Sequence, residues 1–302
     1  MTSRGQWRRR DFFTVGGIAL AAVGLAGCTR SGDPRSGGGG DGGQSTLQRL
    51  REQGYISAGF ANEQPYGYTN DEGELTGESV ELAKAIFPEL GIDEVRGVQV
   101  QWDGLIPGLT AGQFDFVAAG MFITPDRCEE VAFSNPEYQA TTAFMVPEGN
   151  PAQLSDFQSV ADNSDVTLCV LNGAVEQGYA EELGVPADRI QPAQDQASAY
   201  ELLETGRVDA IALTSISLRW LLKQRGGDFE VTEGFIPIVG DQRQSNAGAF
   251  AFQRGETELI DAVNDKLAEF KDNGRLLEIL RPFGFTENEL PGDLTAEQLC
   301  RA

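Results

Sequence analysis

Histidine is absent from the 302 residues, and cysteine (4), methionine (3) and tryptophan (3) are scarce. Without histidine there is no Ser-His-Asp or Cys-His pair, the commonest metal ligand is missing, and so is the easiest pH switch. Basic side chains number 23 against 46 acidic ones, a formal net charge of −23. Such a surface repels a polyanion, which excludes nucleic acid as a partner. Apolar residues still make up 40% and aromatics 9%, too much for a disordered chain. The length suggests about two domains. Function must therefore run on carboxylates, arginines, aromatics and backbone, and no metal or cofactor is expected.

The scarce positive charge is concentrated at the start, where Arg4, Arg8, Arg9 and Arg10 stand against Asp11. Thirteen uncharged residues follow, from Val15 to Gly27. That run is shorter than the about 20 residues of a membrane-spanning helix but suits a signal h-region. Leu25-Ala26-Gly27-Cys28 resembles a bacterial lipobox, whose cysteine is acylated, and Arg9-Arg10-Asp11-Phe12-Phe13 resembles a twin-arginine export signal. An ordinary charged n-region is the plainer reading of the arginines. Residues 1–28 are thus expected to be a lipoprotein signal peptide and residues 29–46 a glycine-rich tether, with four consecutive glycines at Gly37–Gly40. Within it, the sixteen residues Ser31–Thr46 reach roughly 20–24 Å if flexible. The product would sit lipid-anchored through Cys28 on the outer face of the cell membrane, or in a periplasm. Of the remaining cysteines, Cys169 lies in an apolar run and Cys300 in the tail. A Cys169–Cys300 bond pinning the tail is expected, with Cys128 left over; three buried thiols are the alternative.

From Leu47 onward, β-rich runs alternate with helical periodicity. Strands are expected at Tyr55–Ala61, Val98–Trp102, Phe114–Ala118, Val166–Leu171, Arg189–Gln191, Val208–Leu213 and Ala247–Phe252. Helices are expected at Glu78–Leu90, Val175–Leu183, Asp195–Glu204, Ile216–Lys223 and Thr257–Asn273, the last ended by Gly274. Short strand–helix–strand links predict an α/β fold of two units with parallel sheets. In such sheets ligands sit beyond the carboxyl ends of strands. That rule selects Glu63 and Tyr66 after the first strand, Trp102 at the end of the second, and Phe122 and Arg127 after the third. Arginine offers a planar fork for a carboxylate. Aromatic faces attract a diffuse cation, and Glu63 can accept its N–H groups. The set suits a small zwitterion. Each aromatic taken alone is as readily a core residue, and a lone Arg127 a surface ion pair.

Ile106-Pro107-Gly108-Leu109, Gly112-Gln113-Phe114-Asp115, Gly120–Arg127, Phe133-Ser134 and Gly206-Arg207-Val208-Asp209-Ala210 occur in order. In this the chain resembles the family 3 extracellular solute-binding proteins of ABC importers, over roughly Leu47 to Phe285. The resemblance implies a two-lobed, type II periplasmic-binding-protein-like fold. Its two α/β lobes, residues 47–140 plus 248–302 and residues 141–247, would be joined by two crossing strands near Tyr138–Ala143 and Asn246–Phe250. The helix Thr257–Asn273 would return to the first lobe. An ABC permease would be its membrane partner, and a monomer is expected.

Two departures stand out. Amino-acid binders of the family usually carry an aspartate for the α-ammonium where Thr214 stands, and often a small hydroxyl residue where Phe122 stands. Burying an ammonium without its main acceptor costs several kcal/mol. The stretches Gly59–Tyr68 and Ala118–Cys128 are similar to those of the ectoine/hydroxyectoine-binding subgroup. That likeness implies Arg127 on the ligand carboxylate, Glu63 on the ring nitrogens, and a box of Tyr66, Trp102 and Phe122. In the second lobe, backbone N–H groups around Gly173 could meet the carboxylate. Glu176 either faces the cation or simply favours its helix N-terminus. The alternatives are a receptor for a polar amino acid, an exported dehydratase using Glu63 or Glu176 as a general acid, and a signalling lipoprotein.

Overall fold

The computed structural model describes residues 44–244 and 246–301. The expected signal peptide, Cys28 and the tether before residue 44 lie outside them. No described helix is long and apolar enough to cross a membrane.

Two sheets organise two lobes. In the first, strands Glu94–Gln99, Tyr55–Phe60 and Phe116–Phe122 run parallel. Ala247–Phe252 continues the sheet antiparallel, with Ala132–Phe133 and Tyr138–Gln139 along its far side. In the second, Ile190–Ala193, Leu168–Leu171 and Ala210–Thr214 are parallel. Thr142–Pro147 and Phe229–Val231 extend it antiparallel. The chain leaves the first sheet after Gln139, enters the second at Thr142, and returns at Ala247. The outgoing and returning segments lie side by side: Gln139 pairs with Ala247, and the Ala140 N–H donates to the Asn246 carbonyl at 2.8 Å.

The first lobe closes over an aromatic core of Phe87, Phe116, Phe250 and Phe252. Helix Thr257–Asp272 packs there through Leu259, Val263, Leu267 and Phe270, a stripe at helical spacing. Each such side chain contributes about 1.5–3 kcal/mol by leaving water. Beside this core, Tyr66 and Tyr138 stack with ring centroids 5.1 Å apart. Gly120 lets the stack approach: its φ is +63°, and a Cβ there would lie 2.4 Å from the Tyr66 ring.

Two expectations are corrected. The second strand ends at Gln99, and Trp102 opens a short 3-10 turn, Trp102–Gly104. This strand is an edge with little burial, so its apolar pattern is a weak guide. The disulfide is Cys128–Cys300, not Cys169–Cys300. Cys169 is a buried free thiol inside the second sheet. Cys300 and Leu299 pack beside Cys128 on the first lobe. An apolar run signals burial, and carries no information about which cysteine lies opposite.

Candidate functional site

The parallel strands of both sheets aim their carboxyl ends at one cleft. Its walls are Glu63, Tyr66, Trp102, Gly120, Phe122 and Arg127 from the first lobe, and Leu171, Ala174, Val175, Glu176, Leu213 and Thr214 from the second. About 330 Å³ of atom-free space lies there, of which about 20 Å³ admits the centre of a water molecule. A roomier hollow of about 440 Å³ on that second measure lies under the C-terminal tail beside Lys271 and Asp293. It gathers none of the residues above, so chemistry rather than size selects the cleft.

Arg127 is set by its helix, Pro125–Glu130, where the Thr124 hydroxyl caps the Arg127 N–H and Pro125 fills the first position. One guanidinium nitrogen donates to the Phe122 carbonyl at 2.9 Å, the other to the Gly173 carbonyl at 3.4 Å. Among the described residues no carboxylate comes within ion-pair distance of it. Its centre lies 5.7 Å from the Trp102 ring. Burial lowers its pKa.

Glu63 is 6% exposed and Glu176 4%. Burial is the main force pushing Glu63 up to about 8; the Ser217 hydroxyl opposes it and the Glu176 charge adds to it. Burial also pushes Glu176 up to about 7, against its backbone hydrogen bond and the Arg127 charge. Burial therefore resists holding both carboxylates charged at once, and a cation between them would offset that cost.

Tyr66 Oη lies 2.6 Å from Thr214 Oγ1, and Thr214 Oγ1 also accepts the Ser217 N–H at 3.2 Å. The hydroxyl is thus committed to a tyrosine and a helix cap. Gly173 differs from its expected role. Its N–H donates to Gln177 Oε1, and its carbonyl accepts from Trp102 Nε1 at 3.3 Å and from Arg127. It fastens the lobes at the rim and does not line the cleft. Six of the seven expected residues do line it. Ser217 and Gln196, which touch the Glu63 turn, carry no signal in the sequence: only the approach of the two lobes makes them neighbours.

Residues 56–286 match the bacterial extracellular solute-binding proteins, family 3. A probable amino-acid ABC transporter periplasmic-binding protein, y4tE of Sinorhizobium fredii, is 31% identical over 85% of this chain and 87% of its own length. The L-arginine-binding protein of Pseudomonas aeruginosa is 28% identical over 71% and 82%. Among solved structures, EhuB in complex with hydroxyectoine is similar with a TM-score of 0.78 and 32% identity, over 84% of this chain and 97% of that one. An ancestral amino acid-binding protein, precursor of cyclohexadienyl dehydratase, gives 0.69 and 28%, over 79% and 99%. With the two-lobed type II fold and the cleft at its strand ends, these likenesses give one conclusion: the chain belongs to the bacterial extracellular solute-binding proteins of family 3, as the solute-binding component of an ABC transporter.

Proposed function

We propose that the cleft takes a compact zwitterion whose positive charge is spread over a ring, ectoine or hydroxyectoine, and that the protein delivers it to its permease from a lipid anchor at Cys28. Arg127 holds the carboxylate through donors not used on Phe122 and Gly173. Glu63 accepts the ring N–H groups, with Glu176 opposite. Tyr66, Trp102 and Phe122 offer aromatic faces to the delocalised cation, each contact worth up to about 2 kcal/mol when water is excluded. Lobe closure strengthens every charge contact by removing water.

The observation that carries this reading is Thr214. The position where related amino-acid receptors place a charged acceptor holds a hydroxyl already shared between Tyr66 and Ser217. A localised α-ammonium finds little there. The likeness to the hydroxyectoine complex supports the same choice. A polar amino acid is the second reading, favoured by the buried Glu63 and Glu176 and by the amino-acid receptors among the relatives.

Isothermal titration of the mature protein with ectoine, hydroxyectoine, arginine, cystine and histidine decides between them. Heat with the ectoines and none with the amino acids is expected; the reverse ranking rejects the proposal.

A further inference from the structure

We propose that Gln196 and Ser217 of the second lobe are positioning residues that grip the Glu63–Gln64 turn of the first lobe and aim the Glu63 carboxylate at the ligand's cation. The assignment rests on the reading of Glu63 as a cation contact.

Two helix starts supply the grip. Gln196 is the first residue of helix Gln196–Glu204 and is 5% exposed; Ser217 lies in the first turn of helix Ser215–Arg225 and is fully buried. The Gln196 amide satisfies the Gln64 backbone on both sides, accepting its N–H at 3.3 Å and donating to its carbonyl at 3.0 Å. The same Nε2 donates to Ser217 Oγ at 2.8 Å and approaches the Ser217 carbonyl at 3.3 Å. With its acceptor side occupied, the Ser217 hydroxyl directs its hydrogen to Glu63 Oε1 at 2.8 Å, the Gln64 carbonyl being a longer alternative at 3.1 Å. The chain of donors therefore runs from Gln196 through Ser217 to Glu63 and polarises toward the carboxylate. Every link to the turn crosses between lobes, so separating the lobes at this point would break it. Closure and the orientation of Glu63 become one event.

The charged and titratable groups around Glu63 are the Tyr66 hydroxyl, the Glu176 carboxylate from the second lobe and, on the first-lobe wall of the same cleft, Arg127. Of the contacts to Glu63, the Ser217 hydroxyl is the one that favours its ionised form. Its loss therefore matters while Glu63 is charged and matters less once Glu63 is protonated. A contact that only glues the lobes has no such dependence.

The test measures the affinity of wild type, Ser217→Ala, Ser217→Thr and Gln196→Ala for ectoine, hydroxyectoine, arginine and cystine from about pH 5 to about pH 9. For whichever ligand the wild type binds most tightly, Ser217→Ala weakens binding about tenfold at the alkaline end. The deficit shrinks on acidification, Ser217→Thr restores binding, and Gln196→Ala shows the same trend. No deficit, or one independent of pH in both alanine variants, overturns the proposal. A wild type that prefers arginine or cystine overturns the ectoine reading instead, and the variant-to-wild-type ratio still judges the positioning role. If Ser217→Ala does not fold, Gln196→Ala carries the decision.

Discussion

Arg127 shows how much one side chain owes to its neighbours. The Thr124 cap and Pro125 start its helix, and the Phe122 and Gly173 carbonyls hold two of its nitrogens. The fork is therefore preset, and little rotamer entropy is left to lose on binding. Without a carboxylate partner among the described residues, its charge is left free for the ligand carboxylate proposed above. Arg127→Ala is expected to weaken ligand binding by at least about tenfold, roughly 1.4 kcal/mol, with an unchanged circular dichroism spectrum. Wild-type affinity in that folded variant would remove Arg127 from the site. This residue was legible in the sequence because an arginine behind a Thr-Pro cap at a strand end is a local pattern. Ser217 was not. It is one serine among others in helix Ser215–Arg225, and its partner Glu63 lies 154 positions away.

At the scale of elements, legibility follows the strength of the local period. Helix Thr257–Asp272 and strand Ala247–Phe252 stand where apolar spacing and the terminal Gly274 put them. Strand Thr142–Pro147 is apolar without alternation, a pattern that equally suits a buried helix. Edge strand Phe229–Val231 has only three residues. The disulfide joins two elements that are individually too short to be stable, Pro125–Glu130 and Ala296–Leu299. Cys128 directly follows Arg127, so the tail also braces the helix that presents the guanidinium. Closing a loop 172 residues apart in sequence stabilises the fold by at most about 5 kcal/mol in the chain-entropy picture. Cys300→Ser should lower the urea midpoint clearly; an unchanged midpoint would show that the tail is dispensable. In the folded wild type, Cys169 should resist a thiol reagent, since burial pushes its thiol up to about 12. Rapid labelling without unfolding would contradict that burial.

The whole molecule must carry a net charge of −23 and still bury carboxylates that form no ion pair among the described residues. Glu78 and Glu137 are both fully buried behind the Tyr66–Tyr138 stack. Ser79 Oγ donates to Glu137 Oε1 at 2.9 Å, while both Glu78 oxygens and Glu137 Oε2 find no hydrogen-bond partner among the described residues. Burial pushes Glu137 up to about 8, with Ser79 opposing; burial and then the Glu137 charge push Glu78 well above the carboxylate range. The native state therefore binds more protons than the unfolded chain, whose carboxylates titrate near 4.5. The stability this contributes is complete below that value and is lost as pH rises through about 8. Surface carboxylates finish ionising by about pH 6, so their mutual repulsion no longer changes above it. Between about pH 6 and about pH 9, the melting temperature of the ligand-free protein should fall because unfolding releases the protons that the native pair still holds. Glu137→Gln keeps the shape and the acceptor for Ser79 but removes one titrating group and relieves the like charge on Glu78. Its melting temperature should fall less steeply over the same range, and the two curves should converge at acid pH. Parallel curves would mean that the pair does not link protons to folding, and that the alkaline loss comes from elsewhere in the molecule.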